Sequence, residues 1–312
     1  MNILITEPLD FNPEQITVLE KFGTLHKGPF SRMGLLAVIK TTNVLIIRLG
    51  HKIDKELLDQ AYKLEYILTP TTGLNHIDIY EAGKRNIKII SLKGETDFLE
   101  TIPSTAEHSL ALMLSLIRKI PAANKHVLKG EWERDKFKSH NLKSFKLGIL
   151  GYGRVGKQMA EYAEVFKMPW IFYDIDPQLR SHQRSEEDLI SFLKKVDILT
   201  IHIPLNQETT NFINASNIKF LKEGSYIINT SRGEVIEEEA VKDLLENGYL
   251  AGIAIDVLVS EIDENKRKNN PLLKLARELD NIIITPHIAG ATYESMWLTE
   301  EFIIKKWITA IS

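Results

Sequence analysis

The sequence has no cysteine and no long apolar run, and its charges of opposite sign nearly balance. The absence of cysteine excludes a disulfide framework and thiolate chemistry. The longest apolar helix candidate, residues 110–117, is too short to cross a bilayer. A net charge of −3 gives no electrostatic reason to bind nucleic acid. No basic segment followed by a long apolar one opens the chain, so no export signal is visible. We therefore expect a soluble, cytoplasmic protein with neither nucleic-acid nor membrane partners.

The sequence does contain enough apolar residues for two domains. Its 312 residues are 44% hydrophobic, which is ample for real cores. Short apolar, β-branched runs alternate with helical patterns, and this alternation predicts parallel sheets with helices on both faces. The runs lie at residues 2–6, 43–49, 66–68, 87–91, 170–173, 198–203, 226–230, 252–257 and 281–285.

The most informative motif is the glycine-rich segment 151–156, Gly-Tyr-Gly-Arg-Val-Gly. It follows an apolar run at 146–150 and leads into a helical pattern at 157–163. Asp174 then ends the next apolar run, 170–173. This order of strand, glycine turn, helix, strand and acid is typical of a dinucleotide site, whereas the alternative is an ordinary strand–helix turn.

Each glycine of this segment suits one task at a dinucleotide site. Gly151 would let the chain turn sharply, and Gly153 would let the backbone approach a pyrophosphate. Gly156 would let the helix pack closely on the strand, with the helix N-terminus facing the negative charge. The segment therefore predicts a bound dinucleotide.

Asp174 also favours one dinucleotide over the other. A carboxylate there can accept hydrogen bonds from the adenosine ribose but repels a 2′-phosphate, and Asp176 adds charge of the same sign. Arg180 could offset part of this repulsion. We expect NAD, or its reduced form NADH, in preference to NADP.

The position of the glycine segment predicts the domain organisation. It begins about halfway along the chain, so a whole α/β unit precedes it. We expect a dinucleotide domain at 104–286, and a substrate domain formed by 1–103 and 287–312 with an amphipathic return helix. The fold class is thus α/β, with two doubly wound parallel sheets and a Rossmann domain inserted into a flavodoxin-like one. The apolar helix at 109–117 is either deeply buried or part of a subunit contact.

Polar residues suited to hydride-transfer chemistry follow apolar runs in the second half. Arg232 lies just past one run, and Asp256 ends another, with Glu261 five residues further on. His287 follows the last run. Parallel strands bind ligands at their carboxyl ends, so we expect these groups to converge.

Reduction of a 2-oxo acid would use three of these side chains. A planar, permanently charged arginine such as Arg232 can bind the substrate carboxylate. A histidine such as His287 can donate a proton to the developing alkoxide. A carboxylate beside it, here Glu261, would favour the imidazolium form. The alternatives are a buried structural histidine, a helix-capping arginine and a surface glutamate.

With these segments assembled, the chain resembles the D-isomer-specific 2-hydroxyacid dehydrogenase family over nearly its full length. The matching motifs are 151–156 with Tyr173 and Asp174, His202-Ile-Pro-Leu205 followed by Glu208-Thr209, Asn229-Thr-Ser-Arg-Gly233, Ala254-Ile-Asp-Val257 and Thr285-Pro-His-Ile-Ala-Gly290. Their order and spacing are very specific, although each alone is a moderate signal.

The resemblance implies roles for individual residues. Arg232 would bind substrate, Glu261 would pair with His287, and His287 would be the acid/base. Asp256 would face the nicotinamide amide. The residues expected to bind cofactor are Gly151, Gly153, Arg154, Val155, Gly156, Asp174, His202, Pro204, Thr209, Thr230, Ser231, Asp256 and Gly290. Family members generally dimerise through the dinucleotide domain, so a homodimer is expected, and no metal is.

The first domain matches the family less closely. Residues 71–78 are similar to its glycine-rich substrate loop, with Thr72, Gly73 and Leu74 as expected substrate contacts and Thr71 where glycine is usual. Arg48 matches a position that often faces the active site; a solvent-facing arginine is the alternative. The connection 93–103 is longer than usual, and Ile262 replaces the proline that usually follows the catalytic glutamate.

The resemblance implies an NAD-dependent enzyme that reduces a small 2-oxo acid to the D-2-hydroxy acid. Glyoxylate, hydroxypyruvate, lactate-type and phosphoglycerate substrates all remain open. One alternative is a non-enzymatic, NADH-responsive binding protein that resembles the transcriptional corepressors of this fold. Another is a formate or phosphite dehydrogenase of the same fold.

Overall fold

The computed structural model describes residues 1–312, which divide into two compact units. The first unit comprises residues 1–102 and 291–312, and the second comprises residues 103–290. The chain thus returns to the first unit at residue 291, later than the predicted 287. The reason lies in the backbone of His287, which donates a hydrogen bond to the carbonyl of Asp256 (2.8 Å) within the second unit.

The first unit has a five-stranded parallel sheet in the order β2-β1-β3-β4-β5, which is the flavodoxin-like order. Its strands are β1 (Asn2–Ile5), β2 (Thr24–Lys27), β3 (Val44–Ile46), β4 (Tyr66–Thr69) and β5 (Lys88–Ser91). Strand β2 has no counterpart among the predicted runs. It is an edge strand with mostly exposed side chains, so its sequence carries no apolar run.

The helices of the first unit begin where short polar side chains can cap them. They are α1 (Pro13–Glu20), α2 (Arg32–Val38), α3 (Lys55–Gln60), α4 (Ile79–Lys84) and α5 (Thr96–Glu100). Asn12, Ser31, Asp54 and Asp78 precede the first four of these helices, and each side chain accepts a hydrogen bond from an amide of the first turn. These caps satisfy N–H groups that have no partner within the helix.

The second unit has a six-stranded parallel sheet in the order β11-β10-β9-β8-β6-β7. Its strands are β6 (Leu147–Leu150), β7 (Trp170–Tyr173), β8 (Ile198–Ile201), β9 (Ser225–Asn229), β10 (Leu250–Ile255) and β11 (Ile282–Ile284). A single parallel bridge between Phe172 and Ser185 extends the sheet beyond β7. The strand order reverses at β6, and ligands bind doubly wound sheets at such a switch point.

The second unit has seven helices, and the first of them buries one face in the core. They are α6 (Ser104–Ile117), α7 (Ile120–Leu128), α8 (Arg154–Val165), α9 (Leu189–Lys195), α10 (Glu238–Glu246), α11 (Glu264–Lys268) and α12 (Pro271–Leu275). On α6, the side chains of Leu112, Met113, Leu116 and Ile117 are buried in the core of the unit. The opposite face is not buried, since Ala111 is exposed and Leu110 and Leu114 are partly exposed, so a subunit contact of this helix stays a prediction.

The last helix, α13 (Tyr293–Ile311), belongs to the first unit. It buries Ile303, Ile304 and Trp307 against the sheet, and the Trp307 ring contacts Phe22 and Tyr66. The predicted amphipathic return helix is therefore present. None of the helices combines the length and hydropathy that a membrane span requires.

Candidate active site

The glycine turn joins β6 to α8 at the switch point of the second sheet. Gly151 has φ +93°, and a Cβ on it would lie 2.9 Å from the carbonyl of His202. A Cβ on Gly156 would lie 2.1 Å from the oxygen of Gly151, so α8 packs directly on the turn. Gly153 differs from both, because a Cβ there would meet nothing within 4 Å. The turn is closed on two sides and open at Gly153.

Asp174 follows β7 and holds this turn in place. One of its carboxylate oxygens accepts a hydrogen bond from the amide of Tyr152 (2.7 Å), and the other accepts one from the amide of Asp176 (2.9 Å). Each carboxylate oxygen has a further lone pair, so Asp174 can still accept hydrogen bonds from ribose hydroxyls. The acid therefore also shapes the glycine turn, a role that the motif did not predict.

The first turn of α8 carries Arg154 and Val155, which are both partly buried, and no side chain caps it. Its amides form a positive end suited to a pyrophosphate. His202 lies nearby and hydrogen-bonds through Nε2 to the hydroxyl of Thr200 (2.8 Å). Burial and the charge of Arg154 lower the pKa of His202 to about 3. His202 is therefore neutral near pH 7 and cannot donate a proton as an imidazolium.

The segment after β8 is closed by a single hydroxyl. Thr209 donates a hydrogen bond to the carbonyl of Pro204 (2.6 Å) and accepts one from the amide of Asn206 (2.8 Å). Thr209 is buried, whereas Pro204 is exposed. The side chain of Thr209, a predicted cofactor contact, thus shapes its own loop.

The loop after β9 is organised by Asn229. The side-chain Nδ2 of Asn229 donates a hydrogen bond to the carbonyl of Arg232 (2.9 Å). Its Oδ1 accepts hydrogen bonds from the backbone amide and the hydroxyl of Ser231. The hydroxyl of Thr230 forms a 2.7 Å hydrogen bond with Ser109 of α6. Arg232 is therefore presented by a loop whose neighbouring side chains are already engaged.

Arg232 is held next to the segment that leads to Glu261. A Cβ on Gly233 would lie 2.2 Å from the backbone of Leu258, so only glycine allows this approach. Burial lowers the pKa of Arg232, while the charges of Glu261 and Glu234 act in the opposite direction. A guanidinium remains charged despite such a shift. The site thus pairs one partly buried cation with a nearby carboxylate.

Glu261 is fixed by bonds to its own loop. Its carboxylate accepts the amide of Leu258 (3.2 Å), and Arg267 of α11 donates to its carbonyl (2.6 Å). The buried Glu238 accepts the amide of Val259 (3.0 Å), and burial raises the pKa of Glu238. Sequence reasoning missed Glu238 and Arg267, since neither lies in a strand-end motif. They hold the loop although the family's usual proline is absent.

His287 and Glu261 are brought together by the structure. Nδ1 of His287 hydrogen-bonds to a carboxylate oxygen of Glu261. Nε2 of His287 makes no hydrogen bond within the protein, and 22% of the side chain is exposed. The residue has φ +55°, a left-handed conformation that is uncommon outside glycine. The ring is thus oriented by Glu261, and one nitrogen is left for a ligand.

Asp256 holds the turn that carries His287. Its buried carboxylate accepts hydrogen bonds from the amides of Ile288 (2.9 Å) and Ala289 (2.7 Å) and from the hydroxyl of Thr285. The oxygen that accepts the Ala289 amide has a further lone pair, so the contact of Asp256 with a nicotinamide amide stays a prediction. Gly290 follows the turn and is exposed.

Arg48 is held by contacts within the first unit. Its Nε donates to the carboxylate of Glu300 on α13 (3.1 Å), its Nη2 also binds that carboxylate, and its Nη1 donates to the carbonyl of Leu9 (3.2 Å). Glu300 has no exposed side-chain surface, and it accepts the amide of Asn12 (2.8 Å) as well. These contacts fasten α13 within the first unit. Since 19% of the Arg48 side chain is exposed, its contact with substrate stays a prediction.

The predicted substrate loop follows β4 in the first unit. The hydroxyl of Thr71 donates to the carbonyl of Gly73 (2.9 Å), and this bond uses the side chain that replaces the usual glycine. Thr72 is exposed, whereas Gly73 and Leu74 are partly buried. Leu74 packs on the core of the unit, so Thr72 and Gly73 are the better candidates for a ligand contact.

One further cluster has the composition of a metal site but does not fit one. His126, Glu131 and Glu133 bring their ligand atoms within 4.8 Å of one another. Nδ1 of His126 is paired with Glu131, and Nε2 accepts the amide of Glu133 (3.3 Å). Both ring nitrogens are therefore engaged, and no lone pair remains for an ion.

Comparisons with known proteins place the chain in a family. Residues 110–289 match the model of the D-isomer specific 2-hydroxyacid dehydrogenase NAD binding domain. The D-3-phosphoglycerate dehydrogenase of Methanocaldococcus jannaschii is 32% identical over 300 residues, which are 95% of this chain and 54% of that protein. The glyoxylate reductase of Thermococcus litoralis is 33% identical over 311 residues, covering 94% of this chain and 89% of that one.

Solved structures agree with this result. The D-lactate dehydrogenase of Aquifex aeolicus, complexed with NAD and lactic acid, superposes with a TM-score of 0.85 at 26% identity. The alignment covers 100% of this chain and 95% of that one. The chain spans about half the length of the D-3-phosphoglycerate dehydrogenases of Methanocaldococcus jannaschii and Archaeoglobus fulgidus.

These findings confirm the predicted fold class, with two parallel-sheet α/β units, and the predicted cofactor, since more than half of the chain matches an NAD-binding domain. The chain belongs to the D-isomer specific 2-hydroxyacid dehydrogenase family.

Proposed function

We propose that the chain is an NAD-dependent dehydrogenase that reduces a small 2-oxo acid to the D-2-hydroxy acid. The observation that carries this proposal is the hydrogen bond between Nδ1 of His287 and Glu261, which leaves Nε2 available. Relatives named as glyoxylate reductase, hydroxypyruvate reductase and phosphoglycerate dehydrogenase support the substrate class. Reduction would be reversible in principle.

His287 acts as the acid in this proposal. The carboxylate of Glu261 binds Nδ1, so the proton to be transferred is on Nε2. Before the transfer, Glu261 stabilises the imidazolium form of His287. His287 then protonates the carbonyl oxygen as negative charge develops on it. In the reverse direction, the neutral imidazole removes the hydroxyl proton.

Arg232 binds the substrate in this proposal. A planar guanidinium can donate two parallel hydrogen bonds to a carboxylate. Burial strengthens such a contact because it lowers the local dielectric constant. Arg232 therefore fixes the 2-oxo acid by its carboxylate, and the carbonyl oxygen is left for His287.

The residues of the glycine turn fit NAD. The open side of Gly153 and the uncapped first turn of α8 suit a pyrophosphate, and Asp174 suits the ribose. When bound, the nicotinamide supplies or accepts the hydride. A 2′-phosphate about 5 Å from Asp174 would cost on the order of 3 kcal/mol at an effective dielectric constant of about 20, so NADP is disfavoured.

Two other functions are compatible with this fold. An NADH-responsive binding protein would have no need of Arg232, Glu261 and His287 together. A formate or phosphite dehydrogenase would oxidise a donor that has no 2-hydroxy group. The Glu261–His287 pair beside Arg232 favours the 2-oxo acid reductase over both.

We also propose that the chain forms a homodimer through the second unit. Exposed apolar side chains lie on α7 and just after it: Ile120, Leu128 and Trp132, the last of which is 85% exposed. Large exposed apolar side chains in sequence mark an interaction surface. The dimer would thus use α7 and the loop that follows it.

The variant Gly153→Ala tests the cofactor site. Its Cβ meets nothing within 4 Å and φ is −77°, so the free energy of unfolding should stay within about 0.5 kcal/mol of wild type. The methyl group would occupy the approach of the pyrophosphate, so the Kd for NADH should rise by about tenfold or more. Urea unfolding and fluorescence titration measure the two quantities. Gly83→Ala in α4 is the control, and an unchanged Kd in Gly153→Ala would refute the placement.

The reaction is tested with a panel of 2-oxo acids and the variant His287→Ala. Wild type should oxidise NADH with at least one of glyoxylate, hydroxypyruvate, pyruvate and 3-phosphohydroxypyruvate. His287→Ala should lower kcat by about 10²- to 10⁴-fold, the range for loss of an acid/base, with little change in the Kd for NADH. His140→Ala, an exposed histidine, should keep turnover. NADH binding without oxidation would indicate a binding protein, and reduction of NAD⁺ by formate or phosphite alone would indicate the other dehydrogenases.

The oligomeric state is tested by light scattering. Wild type should have twice the mass of the chain, and the pair of substitutions Leu128→Ser and Trp132→Ser should shift it towards monomer. Tyr62→Ser, at an exposed apolar residue of the first unit, should leave the dimer intact. A monomeric wild type would contradict the homodimer.

A further inference from the structure

The N-terminal half of α6 contacts residues that directly follow the strands β9, β10 and β11. The hydroxyl of Ser109 bonds to that of Thr230, just past β9 (2.7 Å). Nε2 of His108 lies 3.0 Å from the hydroxyl of Thr285, just past β11, and 3.4 Å from a carboxylate oxygen of Asp256, just past β10. Neither His108 nor Ser109 was a predicted site residue. Both contact residues at the strand ends that carry the predicted site.

The hydrogen bonds at His108 have only one consistent direction. The Thr285 hydroxyl has one proton, which it donates to the carboxylate of Asp256. The hydroxyl can therefore only accept from His108, so Nε2 of His108 carries a proton. The result is a series of two hydrogen bonds in one direction: His108 donates to Thr285, and Thr285 donates to Asp256. An apolar side chain at position 108 would break this series at its first donor.

The carboxylate of Asp256 connects this series of hydrogen bonds to the turn that carries His287. The carboxylate oxygen that receives the Thr285 hydroxyl also accepts the amide of Ile288, and the other oxygen accepts that of Ala289. These bonds hold His287 in its left-handed conformation. Any rotation of the Asp256 carboxylate would therefore move the backbone on which the His287 ring is carried.

We propose that His108 is a positioning residue for His287, acting through Thr285 and Asp256. It touches neither substrate nor reacting atoms in this scheme. It fixes the carboxylate that fixes the turn, so that Nε2 of His287 meets the substrate oxygen in the reactive geometry. This proposal rests on the proposed function, because it assumes that His287 is the acid.

The alternative is that His108 only fills space on α6. Loss of packing alone would lower stability and the fraction of active protein, but each folded molecule would react at the normal rate. Loss of positioning would slow the reaction in every folded molecule, and a displacement of about 1 Å can cost about a hundredfold. A single-turnover measurement separates the two, since an inactive fraction changes its amplitude and mispositioning changes its rate constant.

The test compares His108→Leu, His108→Gln and the core control Leu112→Ala. His108→Leu should lower the single-turnover rate constant for NADH oxidation by about ten- to a hundredfold, with the Kd for NADH nearly unchanged. His108→Gln keeps an N–H donor and should recover most of the rate. Leu112→Ala should lower the melting temperature but keep the rate constant, because Leu112 packs in the core of the same helix.

A second readout needs no turnover. Hydrogen exchange of the cofactor-free protein should show faster exchange of the Ile288 and Ala289 amides in His108→Leu, with wild-type protection in Leu112→Ala. A His108→Leu variant with the wild-type rate constant, or a His108→Gln variant as slow as His108→Leu, would overturn the proposal. If none of the 2-oxo acids supports NADH oxidation by the wild type, that result would instead contradict the proposed function. In that case, unchanged exchange at Ile288 and Ala289 would still refute the positioning.

Discussion

The geometry of the site depends on one buried group, the carboxylate of Asp256. It accepts hydrogen bonds from two backbone amides and one hydroxyl, and the backbone carbonyl of the same residue accepts the amide of His287. A buried carboxylate without such partners would be very costly, so the turn and the acid require each other. Asp256 follows β10 and the His287 turn follows β11. The pairing of these two strands therefore determines where the imidazole ring of His287 lies.

The same device recurs along the edge of the second sheet. Asp174 holds the glycine turn, Glu238 holds the loop of Glu261, and Asn229 holds the loop of Arg232. In each case one polar side chain accepts a backbone amide of an irregular segment, which would otherwise lack a partner; Asp174 and Asn229 lie at strand ends, and Glu238 begins α10. Loops that must be irregular to reach a ligand are thereby made rigid. This arrangement favours a site that is formed before substrate binds.

The sequence predicted the parts of the structure whose signal is local. Buried parallel strands give apolar runs, and the glycine turn has a steric requirement at Gly151 and Gly156 that only glycine meets. The edge strand β2 escaped prediction because exposed strands leave no apolar run. The pairing of Arg48 with Glu300 was not predicted, because the two residues are 252 positions apart along the chain. His108 was overlooked for the same reason: its contacts are created by the packing of α6 on the strand ends.

The proposed reaction transfers a hydride from NADH to the carbonyl carbon of a 2-oxo acid and yields the D-isomer. The most direct measurement is the fate of deuterium from NADH that is labelled at the transferring position of the nicotinamide. The account predicts a D-2-hydroxy acid with deuterium at carbon 2. An L-isomer, a product without deuterium at carbon 2, or no product with any 2-oxo acid would contradict it.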